Sequence, residues 1–376
     1  MNQPRIVQYE SLAALRAAAG SWDDLWLRSD TTLPSLRAEL LAQWIEQFAA
    51  ADAFRAVAIE QQGRLVAALP LVQHRLRGVL NVAAMPCNEW SASGDLLLDA
   101  SLGETATPVL QLLVTAIRQL PLPLLWLNEA TLDSERWQSL RQAMAEAGMT
   151  VVQHPRWQVG RVAIDHDWPA YKARWSRKHR QQMAQAARKL AQEGDVRLVI
   201  ESQPLSDAIT ASMLQCFDIE ERSWKGAAGG AVLRHPTVAE FFIRQAEQAA
   251  QWGQFELALL HCGDRPVAFS YGLSAKGVFH SLKTGYDPDF ARHHPGQLLR
   301  YYLLERLYAD PTRKALDFLG PMTSSHAAWL PQRYSIGRLA VATRGVRSRV
   351  AVWSYQNVWL RYRRMARENS GSSRCK

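Results

Sequence analysis

The sequence predicts an α/β (α+β) fold of two tandem units, each a mixed, mainly antiparallel sheet flanked by helices. Apolar runs of strand length, separated by polar turns, begin at Phe54 and again at Phe255, and this pattern is typical of an antiparallel meander. After each meander the apolar spacing becomes helical and is followed by a short apolar run. The same order of elements therefore occurs twice, which indicates a duplication.

The two meanders align without a gap at a constant distance of 201 residues. Identical residues then coincide at four positions: Phe54 with Phe255, Arg64 with Arg265, Val66 with Val267, and Ala67 with Ala268. After the meander the copies differ, because only the second has a Gly, Gly296, at the start of its helix. We therefore expect the chemistry in the second copy. The first copy would serve as a scaffold or as a wall of the acceptor site.

The first copy begins with helical spacing over residues 12–52, where two helices break near Pro34. The meander follows from Phe54. Further helices are predicted at Ala106–Leu120 and Ser134–Ala147, and strands at Leu122–Leu127, Val151–Gln153 and Val159–Ile164.

A basic helix opens the second copy. From Tyr171 to Gln192 there are seven Lys and Arg and no acid, which indicates either a solvated helix face or a contact surface for an anionic partner. A strand at Val196–Glu201 and helices at Leu205–Arg222 and Thr237–Trp252 follow. The linker between these two helices contains three glycines, which predicts a mobile or ligand-shaping loop.

The segment Gly277–Leu307 reads as strand, loop and helix. The strand is broken at Asp287-Pro288, and the helix begins just after Pro295-Gly296, since Pro favours the first helical turn. The N–H groups of that turn lack helical partners and lie at the positive end of the helix dipole, so they can bind phosphate. Gly296 has no side chain to keep a ligand away. The alternative is an ordinary crossover.

The positive charge is concentrated at the C-terminus. From Arg333 to Lys376 there are eleven Arg and Lys and one acid, whereas the net charge of the whole chain is +9. The main body is therefore nearly neutral. The tail predicts a basic amphipathic helix with a disordered end, which either packs on the domain or binds an anionic membrane surface or RNA.

The four cysteines lie far apart, so we expect small buried residues and no metal site. The N-terminus does not resemble a signal peptide, and no uninterrupted apolar run approaches the roughly 18 residues of a membrane helix. The protein is therefore expected in the cytoplasm, with the inner face of the membrane as a peripheral alternative. No Ser–His–Asp order, HExxH or GxxxxGK[ST] motif occurs, which argues against hydrolase, zincin and P-loop functions.

Five short motifs occur in order: SRKHRQQM (176–183), ERSWKG (221–226), LKTGYD (282–287), HHPGQLL (293–299) and DFLGP (317–321). Together they resemble the GNAT acyltransferase superfamily. The resemblance is closer to its tandem branch associated with bacterial cellulose and polysaccharide biosynthesis, which is related to Fem-type peptidoglycan transferases. It implies GNAT folds, acyl transfer, and acetyl-CoA or another acyl-CoA as the cofactor.

The family's pyrophosphate loop, Q/R-x-x-G-x-G/A, falls on residues 293–298, with Gly296 as its central Gly. His293 and Leu298 depart from the pattern at its first and last positions. The resemblance implies cofactor contacts by Arg292, His293, Gly296, Gln297, Leu298 and Leu299. We expect the backbone N–H groups of the last four to hold the pyrophosphate and Arg292 to add a charge-assisted contact.

Acyl transfer to an amine needs a base or water route, donors for the carbonyl oxygen and an acid for the leaving thiolate. Glu221, at a helix end, is the first choice for the base, with a solvent-facing acid as the alternative. Tyr286 and Tyr301 are candidates for the thiolate acid, or else core residues.

Strand alternation puts Phe279, Ser281, Lys283 and Gly285 on one face, and His280, Leu282, Thr284 and Tyr286 on the other. A buried Lys283 would need an acidic partner, and Asp287, Glu220 and Glu221 are the candidates; a surface Lys is the alternative. Lys283 and Asp287 are thus included among the catalytic candidates.

Four residues are candidates for substrate contacts: Trp224, Lys225, His280 and Asp317. Trp224 would form a wall of the acceptor pocket, or simply pack. His280 is either a buried core histidine or a ligand contact, and Asp317 either orients a pocket group or caps the next turn.

The sequence therefore predicts an N-acyltransferase that moves an acyl group, acetyl as first choice, from acyl-CoA to an amine of a sugar, peptide or small molecule. The alternatives are a Fem-like transferase that uses aminoacyl-tRNA and an inactive scaffold of a polysaccharide synthase at the membrane. The expected domains are residues 1–165, GNAT-like with a degenerate cofactor loop; 166–346, with the acyl-CoA site; and 347–376, the basic tail.

Overall fold

The computed structural model describes residues 3–50, 52–76, 78–204 and 206–359. The strands are β1 (Arg5–Tyr9), β2 (Phe54–Gln61), β3 (Arg64–Leu76), β4 (Leu80–Ala84), β5 (Leu97–Leu98), β6 (Leu124–Thr131), β7 (Thr150–Ala163), β8 (Val196–Glu201), β9 (Phe255–Cys262), β10 (Arg265–Ala275), β11 (Val278–Tyr286), β12 (Ala315–Pro321) and β13 (Gln332–Ala342). The α-helices are α1 (Leu12–Ala17), α2 (Ala19–Arg28), α3 (Ala38–Phe48), α4 (Ala106–Gln119), α5 (Glu135–Glu146), α6 (Trp168–Ala173), α7 (Arg177–Leu190), α8 (Ser206–Arg222), α9 (Trp224–Ala227), α10 (Pro236–Gln251), α11 (Pro295–Ala309), α12 (Ser324–Ala327) and α13 (Val346–Ser354).

The chain divides into two compact units that are discontinuous in sequence. So far as their residues are described, unit 1 comprises Met1–Thr31, Ala49–Arg156 and Ser335–Lys376, and unit 2 comprises Thr32–Phe48 and Trp157–Tyr334. The expected domains were contiguous, and the difference arises because strand pairing decides where a segment packs. The segment Val159–Ala163 pairs with β12 in unit 2, and Ile336–Ala342 pairs with β6 in unit 1.

Unit 1 contains a sheet with the strand order β1-β2-β3-β4-β6-β13. Only β4 and β6 are parallel, and the other neighbours are antiparallel. Apolar residues of α4 and α5 pack on this sheet, among them Leu110, Leu113 and Trp137. Burial of such residues is the main contribution to the stability of the unit.

One helical stretch of unit 1, Ala100–Gln119, is long and apolar enough to cross a membrane by length and composition. It is interrupted at Gly103, whose backbone angles of φ 52° and ψ −127° are not helical. Leu110, Leu113 and Ile117 of this stretch are buried in the core of unit 1. One face of the stretch therefore packs on the core of unit 1 in this structure.

Unit 2 contains a sheet with the order β7-β12-β11-β10-β9-β8. Here β11 and β12 are the parallel pair, and the other neighbours are antiparallel. This is the strand order of unit 1 repeated with the same directions, so the predicted duplication and the predicted fold class are confirmed. Helices α7 and α11 contribute to the core on one face of the sheet, while α8 and α10 contact β11, β10 and β9.

Several predicted elements differ in detail. Residues 12–52 form three α-helices and a 3₁₀ turn at Pro34–Leu36, and the two strands expected after Ala147 are the single strand β7. The basic helix is two helices, α6 and α7. The break has a local cause, because the side chain of Ser176 accepts a hydrogen bond from the N–H of His179 and so caps α7.

The C-terminal helix α13 was predicted as part of an amphipathic tail. It buries Ser348 and Val352 and exposes Val346, Val350 and Trp353. Residues 360–376 of the predicted basic tail (347–376), which include its disordered end, lie outside the described residues. A membrane or RNA partner for this tail stays a prediction.

Candidate active site

A cavity of about 370 Å³ lies in unit 2, where β11 and β12 separate. The two strands pair at three positions, from Val278 with Ala315 to His280 with Asp317, and β11 then continues to Tyr286 without β12 beside it. Residues of β10, β11, β12, α9, α11 and α12 line the cavity. Ligands of α/β folds bind in crevices at the carboxyl ends of parallel strands, and this cavity lies at such an end.

A bulge interrupts β11 beside the cavity. Tyr271 of β10 pairs with Lys283, but the next residue, Gly272, pairs with Ser281. Leu282 is therefore an extra residue without a partner on β10. A bulge of this kind bends the strand and changes the direction of the side chains that follow it.

The bulge reverses the expected alternation of side chains. Phe279, before the bulge, and Tyr286, after it, pack on the same core cluster. Lys283 lies instead over the ring of Phe242 in α10, with its Nζ 4.8 Å from the ring centroid. The sequence prediction that Lys283 shares a face with Phe279 is therefore wrong, because the alternation of side chains reverses at Leu282.

Helix α11 begins at the cavity. His294 precedes it in the left-handed conformation (φ 51°, ψ 48°), and its carbonyl oxygen accepts hydrogen bonds from the N–H groups of Gln297 (2.9 Å) and Leu298 (3.1 Å). Pro295 has no N–H to offer. Gly296 is therefore the first residue of this turn with an N–H that is available to a ligand by helix geometry.

The anion-binding turn is thus smaller than the sequence predicted. Gly296, Gln297 and Leu299 line the cavity, as expected. Leu298 is fully buried in the core, and its N–H is already used by the helix. The expected contribution of four N–H groups is therefore not supported at Gln297 or Leu298, because the N–H groups of both already donate to the carbonyl oxygen of His294.

A buried ion pair lies beside the cavity. The Nζ of Lys225, which lines the cavity, donates to Oε1 of Glu220 at 2.8 Å and to the backbone oxygen of Thr284 at 2.7 Å. The other oxygen of Glu220 accepts from the N–H of Val232 at 3.1 Å. Glu220 is 1% exposed, so its carboxylate is fully engaged and holds Lys225 against β11.

Glu221, the first choice for the base, points elsewhere. Its Oε1 lies 2.5 Å from the Nη2 of Arg234, and it is not among the residues that line the cavity. Adjacent residues on a helix project about 100° apart, so Glu220 and Glu221 cannot both face the same side. Which of the two points inward depends on tertiary contacts, so the choice could not be made from the sequence alone.

Tyr286 and Trp224 do line the cavity. Trp224 is 65% exposed, so it lies at the open side. The rival candidate Tyr301 is not a lining residue, and its hydroxyl accepts a hydrogen bond from the Nζ of Lys172 at 3.2 Å.

Other residues that line the cavity were not among the sequence candidates. Ser270 and Ser281 face each other across β10 and β11 with their Oγ atoms 3.0 Å apart. Arg300 of α11 and His326 of α12 also line it. A signal for Arg300 was present in the sequence, because the apolar residues Leu303, Leu304 and Leu307 follow it at helical spacing and so place a charged residue on an apolar helix face.

Residues 177–328 match the family model described as an acetyltransferase (GNAT) domain. This segment includes β11, α11, β12 and the cavity between them. The protein is an acyltransferase. No curated protein matches the chain in sequence.

Three solved structures resemble the acyltransferase. The C-terminal domain of a protein assigned as a lysylphosphatidylglycerol synthetase from Agrobacterium fabrum has a TM-score of 0.54 at 14% identity, over 91% of this chain and 96% of that one. FemX has a TM-score of 0.52 at 10% identity, over 76% and 87%. The protein L-PGS from Bacillus licheniformis has a TM-score of 0.51 at 12% identity, over 87% and 93%. These likenesses concern the fold.

In the acyltransferase, the side chains of Arg292 and His293 contact other protein residues outside the cavity lining. The Nη2 of Arg292 lies 2.7 Å from Oε1 of Glu193, and its Nε donates to the Nε2 of His293 at 2.9 Å. The ring of His293 is buried. Neither residue lines the cavity, so the geometry supplies no direct contact with a ligand there.

Lys283 is largely buried on the α10 side of β11. Burial lowers the pKa of Lys283 to about 8, with the carboxylate of Glu220 acting to raise it and the charge of Lys225 to lower it. Of the three acids considered from the sequence, Glu220 is the one that acts on Lys283. Lys283 does not line the cavity.

Asp287 has a structural position at the end of β11. Its fully buried carboxylate lies 2.8 Å from Arg222 and 2.6 Å from Arg265, and it accepts from the N–H of Asp289 at 3.1 Å. Burial alone would raise the pKa of Asp287, but the hydrogen bonds from Arg222, Asp289 and Arg265 bring the pKa below its usual value. A carboxylate held in this way is a weak proton acceptor.

His280 and Asp317 are neighbours in the β11–β12 register and are both buried outside the cavity lining. Asp317 accepts from the hydroxyl of Tyr334 at 3.0 Å and from the N–H of Leu319 at 2.9 Å. Burial raises the pKa of Asp317 to about 6 against these hydrogen bonds. Burial and then the charge of Arg161 lower the pKa of His280 to about 3, so its ring is neutral at pH 7.

The structure thus brings one part of the sequence-predicted site together at the cavity: Trp224, Lys225, Tyr286, Gly296, Gln297 and Leu299. The other candidates lie outside its lining: Glu221, His280, Lys283, Asp287, Arg292, His293, Leu298 and Asp317. The roles assigned to these residues stay predictions.

Proposed function

We propose that the protein is an N-acyltransferase that takes its acyl group from an acyl-CoA, acetyl-CoA in the first instance, and transfers it to an amine of a sugar, a peptide or a small molecule. The observation that carries this proposal is the cavity at the divergence of β11 and β12, which begins at the first turn of α11. A thioester donor is extended and anionic at one end, and such a cavity suits both properties.

The residues present fit an acyl-CoA donor. Gly296 offers an N–H at the positive end of α11, and a Cβ at this position would meet only the Tyr286 ring, at 3.6 Å, so the approach is open. Beyond His280, β11 has no β12 neighbour, and its backbone groups on that edge can pair with the amides of an extended ligand. When bound, the donor supplies an activated thioester carbonyl.

We assign the chemical roles to side chains that line the cavity. Tyr286 lies beside Gly296, and its hydroxyl would protonate the leaving thiolate. Ser270 and Ser281 supply hydroxyl donors for the carbonyl oxygen. Since Glu221 is paired with Arg234 outside the cavity lining, deprotonation of the amine is assigned to a solvent route.

The test is release of free thiol from acetyl-CoA in the presence of a panel of amines: amino sugars, dipeptides and polyamines. The proposal expects release that depends on one class of amine, with the acetylated product found by mass spectrometry. Two results would contradict the proposal. One is thiol release at a rate that no amine of the panel changes, and the other is the absence of thiol release from acetyl-, propionyl- and succinyl-CoA.

A second candidate is transfer of an aminoacyl group from tRNA. The observation that favours it is the exposed basic surface of α7 in unit 2, formed by Arg177, Lys178, Arg180, Arg188 and Lys189. Such a surface binds phosphates in a salt-dependent way. Filter binding of bulk tRNA at two salt concentrations, with Arg177→Glu/Lys178→Glu as the matched variant, distinguishes this function from the first.

Three further hypotheses belong to the proposal: a role in polysaccharide biosynthesis, a cytoplasmic location, and peripheral contact with a membrane. The exposed apolar residues Val346, Val350 and Trp353 of α13 support the last. Co-sedimentation with anionic vesicles that is lost on truncation at Arg347 is the expected result. Equal co-sedimentation of the truncated chain would contradict it.

A further inference from the structure

Arg300 occupies an unusual position for a charged residue. It lies on α11 four residues after Gly296, which is about 6 Å along the helix axis, and it lines the same cavity. Its guanidinium carbon is 4.8 Å from the ring centroid of Phe318 and 6.0 Å from that of Trp329. The cation therefore lies among aromatic rings, which stabilise it in part.

Among the described residues, no acidic side chain forms an ion pair with Arg300. Its Nη1 atom is fully buried and makes no hydrogen bond. Burial lowers the pKa of Arg300 to about 10, so the guanidinium is still charged at neutral pH. A buried charge without a partner is costly, and proteins keep one where a ligand supplies the counter-charge.

A second polar side chain, that of His326, also lines the cavity. His326 stacks on Phe318, with ring centroids 4.5 Å apart and an interplanar angle of 18°, and its buried Nδ1 makes no hydrogen bond. Burial and the nearby charge of Arg300 lower the pKa of His326 to about 4. A hydrogen bond to the backbone of Pro321 acts to raise this pKa. The ring is neutral at pH 7 and uses its single N–H in that bond, so His326 shapes the cavity wall and offers no donor to an anion.

We propose that Arg300 forms a subsite in the cavity for an anionic oxygen group, a carboxylate or a phosphate, of the bound ligand. The planar fork of an Arg matches two such oxygens, and Thr323 and Ser325 line the same cavity. This subsite is one helical turn from the N–H of Gly296, so it is a separate anion contact. The inference deepens the proposed function and rests on it only for the identity of the ligand.

The first experiment needs no knowledge of the ligand. Thermal unfolding is measured in inorganic phosphate and in chloride of equal ionic strength for the wild type, Arg300→Met and the control Arg292→Met, whose Arg is exposed and paired with Glu193. Phosphate should stabilise the wild type and Arg292→Met specifically, through binding to the native state. In Arg300→Met the specific shift should be lost, while the melting temperature in chloride is equal or higher because an unpaired charge is removed.

Arg300→Lys guards against a variant that fails to fold, since it keeps the charge but loses the fork. Its apparent phosphate affinity should lie between those of the wild type and Arg300→Met. The proposal is overturned if phosphate stabilises the wild type no more than chloride does. It is equally overturned if the specific shift persists in Arg300→Met.

The second experiment finds the source of the anion. If it belongs to the donor, Arg300→Met binds acetyl-CoA about 10- to 100-fold more weakly, the usual effect of one charged hydrogen-bonding partner. If 3′-dephospho-acetyl-CoA shows no such loss, the group is the 3′-phosphate; if it shows the same loss, the group is the pyrophosphate. Unchanged donor affinity predicts an acceptor anion instead, and amino acids should then be acetylated in preference to their amides by the wild type alone. If they are not, the subsite has no role in either substrate and the inference fails.

The two proposals fail separately. A wild type that binds phosphate through Arg300 but no acyl-CoA would remove the proposed donor and leave the anion subsite. A wild type that binds acetyl-CoA but shows no Arg300-dependent response to phosphate would keep the proposed donor and remove the anion subsite.

Discussion

Lys225 and Glu220 form a buried ion pair, with Nζ 2.8 Å from Oε1, at the edge of the cavity. Because Lys225 also donates to the backbone oxygen of Thr284, the pair ties α8 and α9 to the part of β11 that lies beyond the bulge. A substitution at Glu220 should therefore disturb both stability and the cavity wall.

Glu220→Gln should lower the free energy of unfolding by about 1–3 kcal/mol, because it removes the charge that balances a partly buried Lys225. Glu221→Gln is the matched control, since its partner Arg234 is largely exposed and such pairs contribute about 0–1 kcal/mol. Urea denaturation measures both. Equal effects of the two variants would contradict the assignment of Glu220 as the buried partner.

Glu221→Gln also tests the catalytic base. A general base contributes about 10²–10⁴-fold to the rate, but the carboxylate of Glu221 is paired with Arg234 outside the cavity lining. We therefore expect kcat to fall by less than about tenfold. A loss of a hundredfold or more, with stability unchanged, would restore Glu221 as the base.

Tyr286→Phe should lower kcat by about 100-fold, since it removes the proposed acid for the thiolate, and should leave the affinity for acetyl-CoA unchanged. Tyr301→Phe is the control, because its hydroxyl contacts Lys172 and it does not line the cavity. Thiol release under saturating substrates reports kcat. The reverse ranking of the two variants would assign the acid to Tyr301.

The pH dependence of stability should report Asp317. Its pKa is raised from 3.8 to about 6 in the folded protein. Between these two pH values, Asp317 is therefore protonated in the folded state and ionised in the unfolded state. The stabilising contribution of Asp317 is therefore complete below about pH 4 and is lost as the pH rises through about 6, a change of about 3 kcal/mol.

Asp317→Asn removes this titration and keeps the size of the side chain. The difference in unfolding free energy between variant and wild type should move in favour of the variant from pH 4 to pH 7. Denaturation curves at several pH values measure it. A difference that does not change with pH would mean that Asp317 titrates normally.

Two glycines of the cavity should respond differently to a methyl group. A Cβ at Gly285 would lie 2.5 Å from the Phe269 ring, whereas a Cβ at Gly296 meets only Tyr286, at 3.6 Å. Gly285→Ala should cost about 1–3 kcal/mol, while Gly296→Ala should be neutral or stabilising by up to about 1 kcal/mol. Similar losses in both variants would show that the wall at Gly296 is tighter than described.

The sequence predicted the elements well where local chemistry determines them. Pro295 and Gly296 marked the start of α11, and the repeated meander predicted the shared strand order of both units. The bulge at Leu282 could not be predicted, because it exists only through the pairing of β11 with β10. For that reason the expected face of Lys283 was wrong. Its burial was one of two readings of the sequence, and Glu220 was one of the three candidate partners.

The site itself was predictable in part. Gly296 and Tyr286 were found through the strand–loop–helix pattern. Glu220 and Glu221 are adjacent at one helix end, and which of them points inward depends on Arg234 and Lys225, whose positions are tertiary. Arg292 was assigned to a ligand because of its place next to the loop, but Glu193, 99 residues earlier in the chain, holds it.

The most direct test of the account is isothermal titration of the purified protein with acetyl-CoA, with Gly296→Trp to fill the cavity and Gly296→Ala as its folded control. We predict one site with a dissociation constant within the range of about 1 μM to 1 mM usual for enzyme substrates. Gly296→Ala should retain this binding and Gly296→Trp should lose it. Absence of binding by the wild type to acetyl-CoA and to longer acyl-CoAs, or undiminished binding by Gly296→Trp, would contradict the placement of an acyl-CoA donor in this cavity.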